Sequence, residues 1–153
     1  MIDPVHVTVV VPLPCSRAFD RFARELHAWW PRDYTWSQDV LTDIGIEPRS
    51  GGLCFEIGPG GFRCDWGTVL QWEPPVHLRL AWQISPRREP VPDARHASML
   101  TVTFAADGEQ RTTLSVVHDG FDRHGDGALE YRDAMGSPRG WPLILQRFAQ
   151  LPA

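Results

Sequence analysis

Apolar and polar residues alternate along most of this chain, and that period of two is typical of β-strands. The segment Val5–Val11 has a β-branched residue at nearly every position, and its odd-numbered valines predict one buried face. The same alternation recurs between turns that contain glycine or proline. It predicts further strands at residues 40–47, 53–57, 62–72, 78–82, 98–105 and 112–118. Short hairpin connections indicate an antiparallel sheet of six to seven strands.

Two segments have the three-to-four-residue apolar spacing of amphipathic helices. The first covers residues 15–30, begins after Pro14 and ends at Pro31. The second starts at about Ala128, and glycines and prolines within residues 136–142 predict a kink or break in its first half. Its strongest apolar stripe is Trp141, Ile144 or Leu145, Phe148 and Leu151.

The order of these elements predicts one α+β domain over residues 1–153. A helix with a continuous apolar face has to cover the concave side of a twisted sheet, so the sheet is expected to wrap around the C-terminal helix. One or two short helices are expected after the first strand. Residues 85–97 are rich in proline and arginine and predict a long mobile loop.

Seven tryptophans in 153 residues are the main functional clue. Large indole rings either interlock in a solid core or line a cavity that a ligand fills. The pattern alone leaves both possibilities open.

Composition and charge narrow the class of partner. The net charge is −4 and the arginines are dispersed, so the chain lacks the basic face that nucleic-acid binding needs. No apolar run is long enough to span a membrane, and no signal peptide is visible, so a cytoplasmic location is expected. Cys15, Cys54 and Cys64 are interpreted as reduced apolar residues rather than a disulfide or a metal site.

Six segments of the chain, in the same order, resemble one superfamily. They are Pro14 with Ala18-Phe19-Asp20, Trp29-Trp30, Gly67-Thr-Val-Leu-Gln-Trp-Glu-Pro-Pro75, Leu78-Arg-Leu-Ala-Trp82, Thr113-Leu-Ser-Val-Val-His-Asp-Gly-Phe121 and Gly140-Trp-Pro-Leu-Ile-Leu145. Together they resemble the helix-grip superfamily of START lipid-transfer domains, plant pathogenesis-related allergens and polyketide cyclases. Within it, they are most similar to the branch named after the activator of the heat-shock-protein-90 ATPase. The resemblance implies a curved sheet around a long C-terminal helix, with apolar or amphipathic ligands held between them.

The candidate ligand-binding residues are those expected to face this space. They are Trp30, Tyr34, Trp66, Trp82, Phe104, His118, Trp141 and Leu145. For His118 two interpretations stay open: an acid, base or ligand anchor in the cavity, or a histidine that is hydrogen-bonded at a strand end.

Other motifs favour structural interpretations. The acidic and histidine residues within 118–126 fit no metal-binding spacing and indicate a solvated loop, so no metal or cofactor is predicted. Gly58-Pro-Gly-Gly61 joins two strands and predicts a hairpin turn. Glu56 and Asp65 are carboxylates on predicted strands, and either would act as a proton donor or acceptor if it faced the cavity. Because Asp65 and Trp66 alternate, Asp65 points away from the cavity if Trp66 points into it.

Three hypotheses for function follow. The favoured one is a cytosolic binding protein for a small hydrophobic or aromatic ligand. The second is a polyketide-cyclase-like enzyme that uses the same cavity, with His118 and Tyr34 as candidate polar groups; no catalytic residue is assigned. The third is a chaperone-associated interaction module, and a homodimer is compatible with each of them.

Overall fold

Seven antiparallel strands form one curled sheet in the computed structural model, which describes residues 1–150. The strands are β1 (Val5–Val11), β2 (Asp43–Ile46), β3 (Leu53–Ile57), β4 (Arg63–Glu73), β5 (His77–Trp82), β6 (Ser98–Ala106) and β7 (Thr112–Asp119). Their order across the sheet is β1-β7-β6-β5-β4-β3-β2. The chain therefore builds the sheet by successive neighbour pairing from β2 to β7, and β1 pairs with β7. The predicted α+β helix-grip architecture is confirmed.

Within the described residues, four α-helices pack with this sheet. They are α1 (Cys15–Arg24), α2 (Leu26–Trp29), α3 (Ala128–Gly136) and α4 (Trp141–Gln150). The single helix predicted over residues 15–30 is wrong in one respect, because Glu25 has non-helical backbone angles and separates α1 from α2. At this break the indole N–H of Trp29 donates to the carbonyl oxygen of Arg21 at 3.0 Å. This bond satisfies one of the carbonyls in the last turn of α1.

The predicted break in the C-terminal helical region lies at residues 137–140, between α3 and α4. Gly140 is the residue that allows this sharp connection, because a Cβ atom there would overlap the carbonyl group of Met135. In α4, the predicted apolar stripe is buried at Trp141, Ile144, Leu145 and Phe148. Its last predicted member, Leu151, lies outside the described residues.

Two β-bulges in β4 change which side chains face the core. Trp66 is an extra residue relative to β3, and Leu70 is an extra residue relative to β5. Simple alternation places Leu70 on the same face as Trp66, and this is wrong. The first bulge leaves both Trp66 and Gly67 on the core side, so the alternation that continues from Gly67 turns Leu70 outward, where it is 41% exposed. A bulge re-aims side chains in this way. Its consequence here is that Val69 is buried in place of Leu70.

Two other segments differ from prediction. β2 is shorter than residues 40–47, because Gln38–Val40 forms a 3₁₀ turn before it. Within residues 85–97, Pro90 forms a β-bridge with the preceding Ile84 and Ala94–His96 forms a 3₁₀ turn. Local hydrogen bonds therefore structure what the sequence predicts as a mobile loop.

The apolar core lies between the concave face of the sheet and the helices. At one end, α1 and α4 bring Phe19, Phe22 and Phe148 together with Phe104 of β6, with ring centroids 5.1 to 5.9 Å apart. At the other end the helices stand away from the sheet and leave the cavity described below. Among residues 1–150, none of the helices has the length and apolar character that crossing a membrane requires.

Candidate functional site

A cavity of about 460 Å³ opens between the concave face of β2–β5 and the helical segments opposite. This volume lies within the usual range for sites that bind small molecules. The sheet contributes Ile44, Glu56, Trp66 and Trp82; the segment after α2 contributes Trp30 and residues 33–36; Ile84 and Arg88 follow β5; and the α3–α4 region contributes Tyr131, Ala134, Met135, Ser137, Arg139, Gly140 and Ile144.

Three tryptophans form the deep aromatic walls of the cavity. Trp30 and Trp66 stack with an interplanar angle of 23° and ring centroids 6.2 Å apart. Trp82 contacts the edges of these rings, with its centroid 5.6 Å from that of Trp66. Flat rings in this arrangement offer both faces and edges to an aromatic guest.

At the first bulge of β4, Trp66 faces the cavity, as its alternation with Cys64 predicts. Its neighbour Gly67 also lies against the interior, where a Cβ atom would come within 2.8 Å of the Ala81 carbonyl oxygen and 3.1 Å of Cys54 Sγ. Only glycine fits this close approach of strands β3, β4 and β5. The indole N–H of Trp66 is buried and has no acceptor among residues 1–150.

A short hydrogen-bond chain holds the opposite wall. The Trp82 indole N–H donates to the Tyr131 hydroxyl at 2.7 Å, and that hydroxyl donates to the Ile84 carbonyl oxygen at 2.9 Å. Burial raises the pKa of Tyr131 to about 12, so the phenol stays protonated and keeps its role as a donor. The guanidinium of Arg88 lies over the Tyr131 ring, 4.6 Å from its centroid.

Glu56 is the buried carboxylate of the cavity wall, whereas Asp33, the other acidic residue of the lining, is exposed. Glu56 lies on the inward face of β3, next to Ile44 of β2 in the sheet register, and is 1% exposed. Its two oxygens accept the backbone N–H groups of Trp36 at 3.1 Å and Ser37 at 2.7 Å. Asp65 lies on the outer face of β4 and pairs with Arg63, as the alternation with Trp66 predicts.

The segment from Tyr34 to Ser37 forms part of the cavity mouth and is attached to three parts of the fold. Besides the bonds to Glu56, the Tyr34 hydroxyl donates to the Arg139 carbonyl oxygen at 2.7 Å. The Trp36 indole N–H donates to the Arg88 carbonyl oxygen at 2.8 Å. Tyr34 and Trp36 are partly exposed, so they connect the cavity to solvent.

Four of the eight predicted ligand-binding residues line the cavity, namely Trp30, Tyr34, Trp66 and Trp82. The other four are Phe104, His118, Trp141 and Leu145, and all are buried outside its lining. Phe104 lies among the phenylalanines of α1, and Leu145 faces the core from α4. Trp141 packs against Trp30 and Trp82 with edge contacts.

His118 belongs to a buried hydrogen-bond network. The Trp141 indole N–H donates to His118 Nδ1 at 3.0 Å, and because an indole nitrogen only donates, the neutral His118 ring carries its proton on Nε2. That proton is donated to Ser98 Oγ at 2.7 Å. The Ser98 hydroxyl then donates to His124 Nε2 at 2.8 Å, which also accepts the Ser98 backbone N–H.

Burial keeps both of these imidazoles neutral. It lowers the pKa of His118 to about 3, with a smaller contribution from the neighbouring His124, and it lowers the pKa of His124 to about 4. The network therefore fixes the rings of His118 and Trp141 behind the cavity wall. In residues 1–150, no group of three or more histidine, cysteine or acidic side chains is placed to hold a metal ion.

Most of the other lining residues are not predicted from sequence as site residues, and the two among them that matter most to the chemistry of the cavity are Tyr131 and Glu56, the latter considered from sequence only on the condition that it faced the cavity. Both had a signal: Glu56 alternates with Cys54 on the inward face of β3, and Tyr131 follows Ala128 and precedes Met135 at helical spacing. Choosing them requires knowing which face of each element borders the empty space.

Comparison with known proteins identifies the family. The family described as "Activator of Hsp90 ATPase homolog 1-like protein" matches residues 14–152. The chain belongs to this family. No protein of curated function matches the chain significantly.

Several solved structures share the fold over nearly their whole length. An anthrahydroquino-γ-pyrone synthase, Txn09, solved in a complex with a compound abbreviated SUM, is 32% identical with a TM-score of 0.68, and the match covers 97% of this chain and 96% of that one. The self-sacrificing resistance protein CalC from Micromonospora echinospora is 27% identical with a TM-score of 0.63, covering 95% and 91%. Protein MLL2253 from Mesorhizobium loti is 21% identical with a TM-score of 0.64, covering 97% and 95%, and this likeness shows the fold alone.

Proposed function

We propose that this protein binds a flat aromatic small molecule in the cavity between the sheet and the C-terminal helices. The observation that carries the proposal is the wall of three indoles, Trp30, Trp66 and Trp82, around a cavity of about 460 Å³. Aromatic rings stack on such walls and gain free energy beyond the area that they bury. The three cysteines are free thiols, which suits a protein of the reducing cytosol.

The ligand class that fits best is a polycyclic aromatic molecule of the polyketide kind. The 32% identical synthase is named for a product that contains an anthrahydroquinone, which is a flat three-ring system. The similarity covers 97% of this chain. It supports a related ligand in the present cavity.

Titration with anthraquinone, followed by tryptophan fluorescence, tests the proposal. Wild-type protein should show saturable quenching. Trp30→Ala should weaken binding by about tenfold, because it removes one stacking wall. Trp72→Ala is the matched control, since Trp72 is also half-buried but packs against Phe19 away from the cavity. An absence of saturable binding, or equal losses in the two variants, would refute ligand binding at this site.

A second candidate is ring closure on such a ligand, as in polyketide cyclases. The buried Glu56 carboxylate in an aromatic cavity favours it, as does the similarity to a synthase. A suitable probe is an aryl 1,3-diketone with an ortho hydroxyl group: its phenol oxygen bonds to the distal carbonyl carbon, water leaves, and a γ-pyrone forms without an oxidant. Faster pyrone formation with protein than in buffer, measured by absorbance, supports the activity, and equal rates count against it.

A further inference from the structure

The hydroxyl groups of the side chains that line the cavity are hydrogen-bonded within the protein. The hydroxyls of Tyr131, Thr35 and Ser137 each donate to a backbone carbonyl oxygen, and each accepts one N–H group. These groups therefore complete the structure around the cavity and have little capacity left for a guest.

Glu56 differs from them in its unused capacity. A carboxylate has about four acceptor positions, and Glu56 uses two, one for each backbone N–H of Trp36 and Ser37. The remaining lone pairs belong to a side chain that is 1% exposed and lines the cavity. Among residues 1–150, Glu56 forms no ion pair with an arginine or histidine.

A buried carboxylate without a cationic partner is costly, because folding removes most of its water and returns only part of the lost hydrogen bonding. An apolar residue at the same inward position of β3 would avoid this cost, as Ile44 does at the paired position of β2. The two backbone N–H groups offset some of the desolvation. A hydrogen-bond donor on the ligand would occupy a remaining lone pair of the carboxylate.

We propose that Glu56 accepts a hydrogen bond from a hydroxyl group of the ligand, so that the cavity selects phenolic over non-phenolic polycyclic aromatics. We choose a neutral hydroxyl over a cationic amine, because the charged residues that line the cavity already balance: Arg88 and Arg139 offset Glu56 and Asp33, so a cationic guest gains no net attraction. This inference rests on the proposed binding function and adds the chemical class of the ligand.

The test compares 2-hydroxyanthraquinone with 2-methoxyanthraquinone by calorimetry at pH 6, where the phenol is protonated. The two probes share the ring system and differ in the donor. Wild-type protein should bind the hydroxyl compound at least about tenfold more tightly, as expected for a hydrogen bond to a charged acceptor. In Glu56→Gln this ratio of affinities should fall toward one, because the side chain loses its charge and one of its two acceptor oxygens, and the remaining oxygen is needed for the backbone N–H groups of Trp36 and Ser37.

Asp65→Asn is the matched control, since Asp65 is also a strand carboxylate but lies on the outer face of the sheet. It should keep the wild-type ratio. Because the ratio compares two ligands on one protein, a general loosening of the segment bonded to Glu56 would affect both ligands and leave the ratio unchanged.

The outcomes separate the two proposals. If neither compound nor anthraquinone binds wild-type protein, the binding function itself is refuted. If anthraquinone binds but wild-type protein binds the hydroxyl and methoxy compounds with nearly equal affinity, the role of Glu56 is refuted and the binding function stands. This comparison uses wild-type protein alone, so it decides the question even if Glu56→Gln does not fold. Tighter binding of 2-(aminomethyl)anthraquinone than of the hydroxyl compound would also overturn the choice of a phenol.

Discussion

The neutral His118 in the core makes the protein less stable as the pH is lowered from 7 to 5. Burial lowers its pKa in the folded state to about 3, whereas an unfolded-state histidine has a pKa of 6.5. Between these values the unfolded chain binds a proton that the folded protein does not. The contribution to stability is therefore complete above pH 6.5 and is lost as the pH falls toward 3.

The size of the effect at pH 5 follows from the unfolded state. Consider a histidine that stays neutral in the folded protein and has a pKa of 6.5 in the unfolded chain. It lowers the free energy of unfolding at pH 5 by about 2 kcal/mol relative to pH 7 or above. Any folded-state pKa below about 4 gives nearly this value. His124 changes stability in the same direction, because burial also lowers its pKa, to about 4.

Urea unfolding of wild type and His118→Asn at pH 7 and pH 5 measures the effect. The variant loses the bonds to Trp141 and Ser98, so it should be less stable at both pH values. Its loss of stability between the two pH values should nevertheless be smaller than that of wild type by about 2 kcal/mol. His27→Asn, at an exposed position of α2, should leave the wild-type loss unchanged.

Equal pH dependence in wild type and His118→Asn would refute the assignment of a buried neutral imidazole. If the variant does not fold, the nitrogen chemical shifts of the His118 ring in wild type give the same answer. They should show a single neutral tautomer, protonated on Nε2, from pH 8 down to pH 4.5. A charged ring at pH 6 would contradict the network.

Two further predictions concern the aromatic wall and the strand beneath it. Trp82→Phe should lower the free energy of unfolding by about 1–2 kcal/mol more than Trp66→Phe does. Both tryptophans are 3% exposed, but only the Trp82 indole N–H has a hydrogen-bond partner among residues 1–150. Equal losses of stability in urea denaturation would contradict this prediction. Gly67→Ala should cost about 1–3 kcal/mol, because the new methyl group meets the Ala81 carbonyl oxygen, which cannot move without disturbing β5. An unchanged urea midpoint for Gly67→Ala would show that the strands separate at little cost.

The sheet could be predicted from sequence because each strand has its own local signal. Alternation and turn residues locate Leu53–Ile57 to the residue and the other long strands to within one residue at each end. The errors lie where a third element overrides the local pattern. The bulges at Trp66 and Leu70 depend on how β4 pairs with β3 and β5, so they have no signature within β4 itself. The break at Glu25 is likewise not marked by a glycine or a proline.

The cavity could be predicted only in part, for a related reason. The tryptophan content indicates that aromatic side chains meet inside the fold, and Trp30, Trp66 and Trp82 do meet at the cavity. Whether an inward residue borders the cavity or the solid core depends on where the helices leave the sheet. Phe104 and Leu145 face inward as predicted, but both are buried outside the lining of the cavity, Phe104 where α1 packs against the sheet.

The polar bonds of the aromatic walls have a consequence for how a guest is received. Trp82 is bonded to Tyr131, Trp36 to the backbone at Arg88, and Trp141, which packs against the wall, to His118. Rings restrained in this way cannot collapse inward to fill the void when it is empty. The binding site is preorganised, so association freezes little additional motion in the protein. Rigid molecules that match its shape should therefore bind more tightly than flexible ones of equal apolar area.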